Sequence, residues 1–169
     1  MKVSMHAMSV EVLAHTLSNL SWILEKADAS AAQRKFDAAV LLGARLAPDM
    51  LPLTRQVQIA SDIAKNSVAR LAALDPPRFE DTETTIEQLR ARLARTIDFL
   101  NGVPASALEG SDSRDIKVPA GERTFEFKGL EFLQRWAIPN VFFHVTTAYA
   151  ILRHNGVDIG KRDFIGGGR

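Results

Sequence analysis

The stretch WAIPNVFFHVTTAYAILRHNG, residues 136–156, decides the fold of this chain. Val141, His144, Val145, Ala148, Ile151 and Leu152 recur at three- and four-residue spacing and so share one face of a helix. Pro139 fits the first turn, where backbone amides have no intrahelical partner, and Asn155-Gly156 closes the last one. A helix with one apolar face must bury it against others. The single histidine on that face poses the functional question: it is either a group for chemistry or one polar residue held in a core.

Working outward, the preceding GLEFLQRWA reads as a separate short helix leading into this one. Before it, SRDIKVPAGERTFEFKG changes period. Thr124-Phe125-Glu126-Phe127 alternates and Pro119-Ala120-Gly121-Glu122 supplies a turn, which predicts a small hairpin of residues 115–118 with 123–127. Two strands alone are marginal in water, so the hairpin must lean on the helices. After the stretch, VDIGKRDFIGGGR is glycine-rich and predicts an arm from about residue 156, packing only through Ile159, Phe164 and Ile165.

Three more long helices precede the hairpin. The first covers about residues 4–27, with Ser4 as N-cap and Val10, Leu13, Leu17, Leu20 and Leu24 as its stripe. Asp37 then caps a short connector helix carrying Val40 and Leu41, closed by Pro48. The second long helix starts near Asp49 as cap, tolerates Pro52 in its first turn and carries Met50, Leu53, Val57, Ala60, Ala64 and Leu71 until DPPRF ends it. The third follows EDTETT. Thr84 and Glu87 have capping-box spacing, with Asp81 or Thr82 as alternative caps, and Ile86, Leu89, Leu93, Ile97 and Leu100 form the stripe. Asn101-Gly102 is expected to stop it in a left-handed C-cap. Four amphipathic helices in one chain of 169 residues predict a single all-α domain over residues 1–169, a four-helix bundle with a small β-hairpin between helices 3 and 4. The long connection before the fourth helix permits a topology other than simple up-down-up-down.

Bulk properties narrow the function classes. The 21 basic and 20 acidic residues leave a net charge of +1, which gives no reason to expect nucleic acid or an anionic membrane as partner. There is no cysteine, which excludes disulfides, thiolate metal sites and a cysteine nucleophile. His6, Ser9, Glu11, His15, Ser18 and Asn19 interrupt the N-terminal apolar run, so neither a signal peptide nor a membrane span is expected, and the cytoplasm is the expected location.

The candidate chemistry centres on His144. Of the four histidines it alone faces the expected core; Ala148 stands one turn on, His154 lies ten residues away, and His15 sits two residues off its stripe. A bundle metal site needs ligands converging from facing helices, and a catalytic zinc site needs three of them. The competing reading is a neutral core imidazole bonded to Gln56, Gln58 or Asn19, because a buried polar group needs a partner. Gln56 flanks the second helix's seam and is either a buried amide lining a pocket or a half-exposed edge residue. Asp62 reads as solvated, and Arg45 as pairing with Asp49. Tyr149 projects to a pocket rim or a dimer face. Arg153, His154, Lys161 and Arg162 complement the negative end of the last long helix's dipole, and GVDIGK lacks phosphate-loop spacing. No serine, histidine and acid arrangement follows from spacing.

Two blocks carry a family resemblance. FLQRWAIPNVFFHVTTAYAILRHNGVDIGKRDFIG, residues 132–166, closely resembles the C-terminal signature of the bacterial domain-of-unknown-function family nineteen ninety-three, and ARLAPDMLPLTRQVQ, residues 44–58, resembles its other block. With the first helix, the resemblance covers nearly the whole chain. That family is similar to the DinB/YfiT-like superfamily of four-helix bundles. The resemblance implies a divalent metal, nickel or zinc, between helices 2 and 4, held by one histidine from helix 2 and two from helix 4 spaced four apart. His144 matches the first helix-4 ligand. Ala148 stands where the second would be, and Gln56 stands near the helix-2 position, so one ligand of three is kept.

Two functions follow as expectations, and whether the chain is an enzyme stays open between them. One is a binding or dimeric protein with a residual pocket between helices 2 and 4, formed by Gln56, His144, Ala148 and Tyr149, taking a small-molecule ligand and working as a homodimer through the exposed aromatics Phe142, Phe143 and Tyr149 beside Trp136. The other is a divalent-metal-dependent transferase or hydrolase using His144 as ligand or general base.

Overall fold

The computed structural model describes residues 3–167, so Gly168 and Arg169 of the closing GGGR lie outside the described residues. A π-helical turn, Ala7–Glu11, leads into α1 (Val12–Gln33); then come α2 (Ala39–Leu42), α3 (Leu53–Ala72), α4 (Ile86–Asn101), β1 (Asp115–Ala120), β2 (Arg123–Lys128), α5 (Gly129–Phe132), α6 (Ile138–His154) and α7 (Lys161–Phe164). Seven α-helical segments thus occur among the described residues, four long and three of a single turn. The domain is mostly helical with one small antiparallel hairpin, and none of its described helices is long and apolar enough to cross a membrane.

The long helices meet in a definite order. α1 packs against α4 and α6, and α3 packs against the same two, while α1 and α3 barely touch across the diagonal. Residues 34–52 therefore carry the chain diagonally from α1 to α3, and the hairpin region carries it from α4 to α6. This differs from up-down-up-down order, in which consecutive helices are neighbours. Leu13, Leu17, Leu20, Val57, Leu93, Val145 and Leu152 meet in one core, all but free of solvent.

Several local expectations shift on inspection. Ser4 does accept from the Ala7 amide at 3.0 Å, and Asp37 caps α2 through the Ala39 amide at 2.8 Å. The first long helix runs on to Gln33. α3, however, begins after Pro52, not at Asp49, and has no side-chain cap; its first amide, Leu53 N–H, is taken up by the Ala44 carbonyl at 3.0 Å. The box before α4 is one residue later than expected: Thr85 Oγ1 accepts from Gln88 N–H, and Gln88 Oε1 accepts from Thr84 N–H. Gly102 is right-handed, at φ −75°, so the left-handed C-cap predicted there is absent. Left-handed closure occurs at Gly156, φ +82°, after α6.

The segment before α6 is not a separate helix. α5, a π-helical turn at Leu133–Ala137, and α6 run on without a break in helical dihedrals. Pro139 sits in the first turn of α6, and the wider π turn ahead of it absorbs the proline's missing donor. The hairpin is longer than expected, pairing Asp115 with Lys128 through Ala120 with Arg123, and Gly121 at φ +60° makes its tight turn. Its inner face leans on the bundle as required: Ile116 and Val118 are buried, and Phe125 and Phe127 stack against Trp136 at 5.2 and 5.8 Å.

The tail also packs more than its composition indicates. Val157, Ile159 and Asp163 are buried, but Ile165, expected to pack, is 55% exposed. Lys26 pairs with Asp163 at 2.9 Å, and Asn19 donates to the Phe164 carbonyl at 3.0 Å, so polar groups of α1 hold α7 down. Arg45 donates to the Met50 carbonyl at 2.5 Å and bridges its own loop that way, not through Asp49.

Candidate functional site

α3 and α6 bring Gln56 and His144 together across 88 residues of sequence. His144 Nδ1 lies 2.7 Å from Gln56 Oε1, and Gln56 Nε2 donates to the Leu51 carbonyl at 2.9 Å. Gln56 is only 2% exposed, so its amide had to find partners on both ends, and it has. His144 is half-buried, at the edge of the α3–α6 seam. Burial lowers its pKa below the ordinary imidazole value, which keeps the ring neutral at pH 7. Its Nε2 meets no hydrogen-bond partner among the described residues and is not sealed from solvent. The Phe143 ring, 57% exposed, stands edge-on to the imidazole at 5.2 Å. The site is thus one basic lone pair beside an exposed aromatic ring.

The other expected pocket residues are distributed differently. Ala148 is buried one turn from His144 and offers only a methyl group. Tyr149 lies five residues after His144, about 140° around the helix. It packs edge-on against Phe164 of α7 at 5.9 Å, and Phe142 does the same at 6.4 Å. The structure therefore joins Gln56 with His144 and sets Tyr149 on the flank covered by the tail. Of the aromatics expected on an exposed face, only Phe143 stands open; Trp136 is covered by the hairpin. Gln58 and Asn19, the alternative partners for His144, bond elsewhere.

A second cluster was missed from sequence. Arg92 of α4 is wholly buried, yet it pairs with Asp62 of α3 at 2.9 Å, Asp81 at 3.0 Å and Glu83 at 3.0 Å. Gln58 donates to the other Glu83 oxygen at 2.8 Å and accepts from Arg55, which also pairs with Asp81. Phe79 lies under Lys65, Arg92 and Arg95 at 4.8, 5.6 and 4.5 Å. Burial alone would raise the pKa of Asp81 and of Glu83. Hydrogen bonds and the Arg92 charge outweigh it, and both carboxyls titrate below the usual range. Asp62, read as solvated, is a partner of this buried guanidinium. The cluster clips residues 73–85 onto α3 and α4, and all its charges face one another, so it is a fastening. One signal was present: Arg92 falls between Leu89 and Leu93 on the α4 stripe, just after the acids of EDTETT.

The residues at His144 do not fit a three-ligand metal centre. Ala148 has no donor atom. Gln56 has both amide ends committed, and no group of three His, Cys, Asp or Glu converges among the described residues. What His144 retains is a single lone pair on Nε2.

Comparisons with known proteins agree with the sequence blocks. Residues 5–165 match the family described as "domain of unknown function (DUF1993)". The fold is similar to the crystal structure, at 1.83 Å resolution, of a DinB family member protein from Shewanella denitrificans. The two share 42% identity and superpose with a TM-score of 0.90 over 95% of this chain and 91% of that one. None of the curated proteins matches the chain.

Proposed function

The chain belongs to the DUF1993 family, with a DinB-like fold, and from this premise we propose that it is a binding protein, a four-helix bundle of DinB/YfiT-like type. It holds a small molecule at the seam between α3 and α6 and works as a homodimer in the bacterial cytoplasm. The observation that carries this reading is the 2.7 Å contact of His144 Nδ1 with Gln56 Oε1, which leaves Nε2 open beside Phe143. A neutral, pre-oriented acceptor flanked by an exposed ring is what a small ligand site requires: an apolar wall and one polar group that fixes orientation. Among the described residues no second acid, base or nucleophile bonds to His144, which weighs against catalysis.

The site is tested by screening small molecules while following the His144 ring signals by NMR. Ligands that shift those signals and lose affinity in His144→Ala support the reading; ligands that bind only elsewhere overturn it. Self-association is tested at Phe143, the open aromatic of α6. In sedimentation, Phe143→Asp should shift a dimer toward monomer, and a variant that sediments like the wild type removes this surface as the contact.

A second reading is favoured by one specific feature. A metal-bound histidine is characteristically held by a hydrogen bond from its other ring nitrogen, and Gln56 supplies such an acceptor to Nδ1. On this reading the chain is a divalent-metal-dependent transferase or hydrolase, with nickel or zinc on His144 alone and water completing the shell. Calorimetric titration of either ion into untagged protein, beside His144→Ala, decides it. Binding lost in the variant supports it; absence of binding in both ends it.

A further inference from the structure

The polarity of the Gln56 amide is fixed by chemistry, independent of how its oxygen and nitrogen are drawn. The Leu51 carbonyl can only accept, so the end of the amide 2.9 Å from it must be the NH2 group. Turning the amide over would set two acceptor oxygens against each other in a site where Gln56 is 2% exposed. With the NH2 group on Leu51, Oε1 faces His144, and an oxygen acceptor at 2.7 Å requires a proton on Nδ1. At pH 7 an imidazole is mostly neutral. A neutral ring protonated at Nδ1 carries its lone pair on Nε2, the atom left open to solvent.

We infer that Leu51, Gln56 and His144 form a polarity relay that presents an obligate hydrogen-bond acceptor at Nε2, so that the site takes an uncharged ligand with an O–H or N–H donor on an apolar body. Gln56 is a positioning residue in this scheme: it touches no ligand and acts by holding the His144 tautomer. The apolar body rests on Phe143, the exposed ring edge-on to the imidazole. A ligand with only acceptors meets the lone pair with its own and is rejected, as sites built for one hydroxyl reject the analogue without it. This ligand class rests on the binding reading above; the relay itself does not.

The experiment uses protein labelled with nitrogen-15 at histidine and a matched pair of probes: phenol, and anisole, which keeps the ring but lacks the donor. In the wild type the His144 signals should show Nδ1 protonated and Nε2 bare. Gln56→Leu removes the acceptor, and the ring should move toward the opposite tautomer. Gln56→Met, which fills similar space without an acceptor, should move it in the same direction, a change that a merely space-filling role of Gln56 would not give. Phenol should shift the Nε2 signal and bind at least about tenfold more tightly than anisole. A wild-type ring protonated at Nε2 overturns the relay, and so does a Gln56→Leu protein that folds with its tautomer unchanged. Equal binding of the two probes at His144 overturns the ligand class. If neither probe moves the ring, the binding reading falls and the ligand class with it, while the tautomer signals separately decide the relay.

Discussion

α3 shows two flanks of opposite character. Toward α4 and residues 73–85 it carries Arg55, Gln58, Asp62 and Lys65 into a dense network around Arg92, in which every formal charge faces an opposite one. Toward α6 it carries Gln56 to a single neutral imidazole. Gln56 and Gln58 are two residues apart, about 200° around the helix, and so they reach opposite sides. The lesson lies in what is left over. On the crowded flank charge meets charge around a fully buried guanidinium, although its Nε and Nη2 make ion pairs or packing contacts and no hydrogen bond. The sparse flank is open, because the last atom in its chain of hydrogen bonds has no partner among the described residues. Dense ion pairing out of reach of solvent marks the fastening here, and a ring nitrogen left open to solvent marks the candidate site.

The comparison is broken most forcefully at Arg92. Arg92→Met should leave Asp62, Asp81 and the nearly buried Glu83 without the one cation they share, with only Lys65, Arg55 and Gln58 as remaining partners, and lower stability by about 3–5 kcal/mol in urea unfolding. A loss under 1 kcal/mol would mean that residues 73–85 are held by packing, not by the network. On the other flank, Gln56→Leu should lower stability by about 1–3 kcal/mol, since it leaves His144 Nδ1 and the Leu51 carbonyl without their partner. If the two variants cost the same, the contrast between the flanks fails.

The smallest effect separates the flanks by pH. His144 has a depressed pKa in the folded state, so the unfolded chain binds the extra proton first, and stability rises with pH until the unfolded value near 6.5 is passed. The part due to His144 is fully present above that pH and declines as pH falls below it. Asp81 and Glu83 are also depressed. Their contribution is present above the unfolded carboxylate values near 4 and is lost as pH falls through the lower folded ones. Urea midpoints measured in steps from pH 8 to pH 3 should show both windows. His144→Gln should remove only the upper one, and Arg92→Met should diminish only the lower.

Much of the architecture was legible in the residues. The stripes of Leu13, Leu17 and Leu20, of Leu89 and Leu93, and of Val141, Val145 and Ala148 specify which helix faces are buried, because burial on a helix follows a period of 3.6. The alternation at residues 124–127 and the glycine at 121 specify the hairpin. Helix ends were read less well. The cap before α4 fell one residue later and α3 started at Leu53, since adjacent Thr84-Thr85 and the prolines at 48 and 52 each offer several acceptable boundaries. Half of the candidate site was also legible: His144 belongs to an apolar stripe, and Gln56 was one of three partners weighed for it. The choice among them needed the packing of α3 on α6.

By itself, then, the sequence determined the helices, the hairpin, the family and the presence of one polar group on the face of α6. Tertiary structure decided which buried polar groups meet. Arg92 lies on an apolar stripe with no sequence-adjacent partner until Asp62, Asp81 and Glu83 arrive from 30, 11 and 9 residues away, and Tyr149 reads as a pocket-rim or dimer-face residue until Phe164 folds over it. The physical reason is that apolar burial depends on a residue's own face of the helix, whereas a buried polar group is tolerated only through a specific partner, and no local pattern encodes a partner distant in the chain.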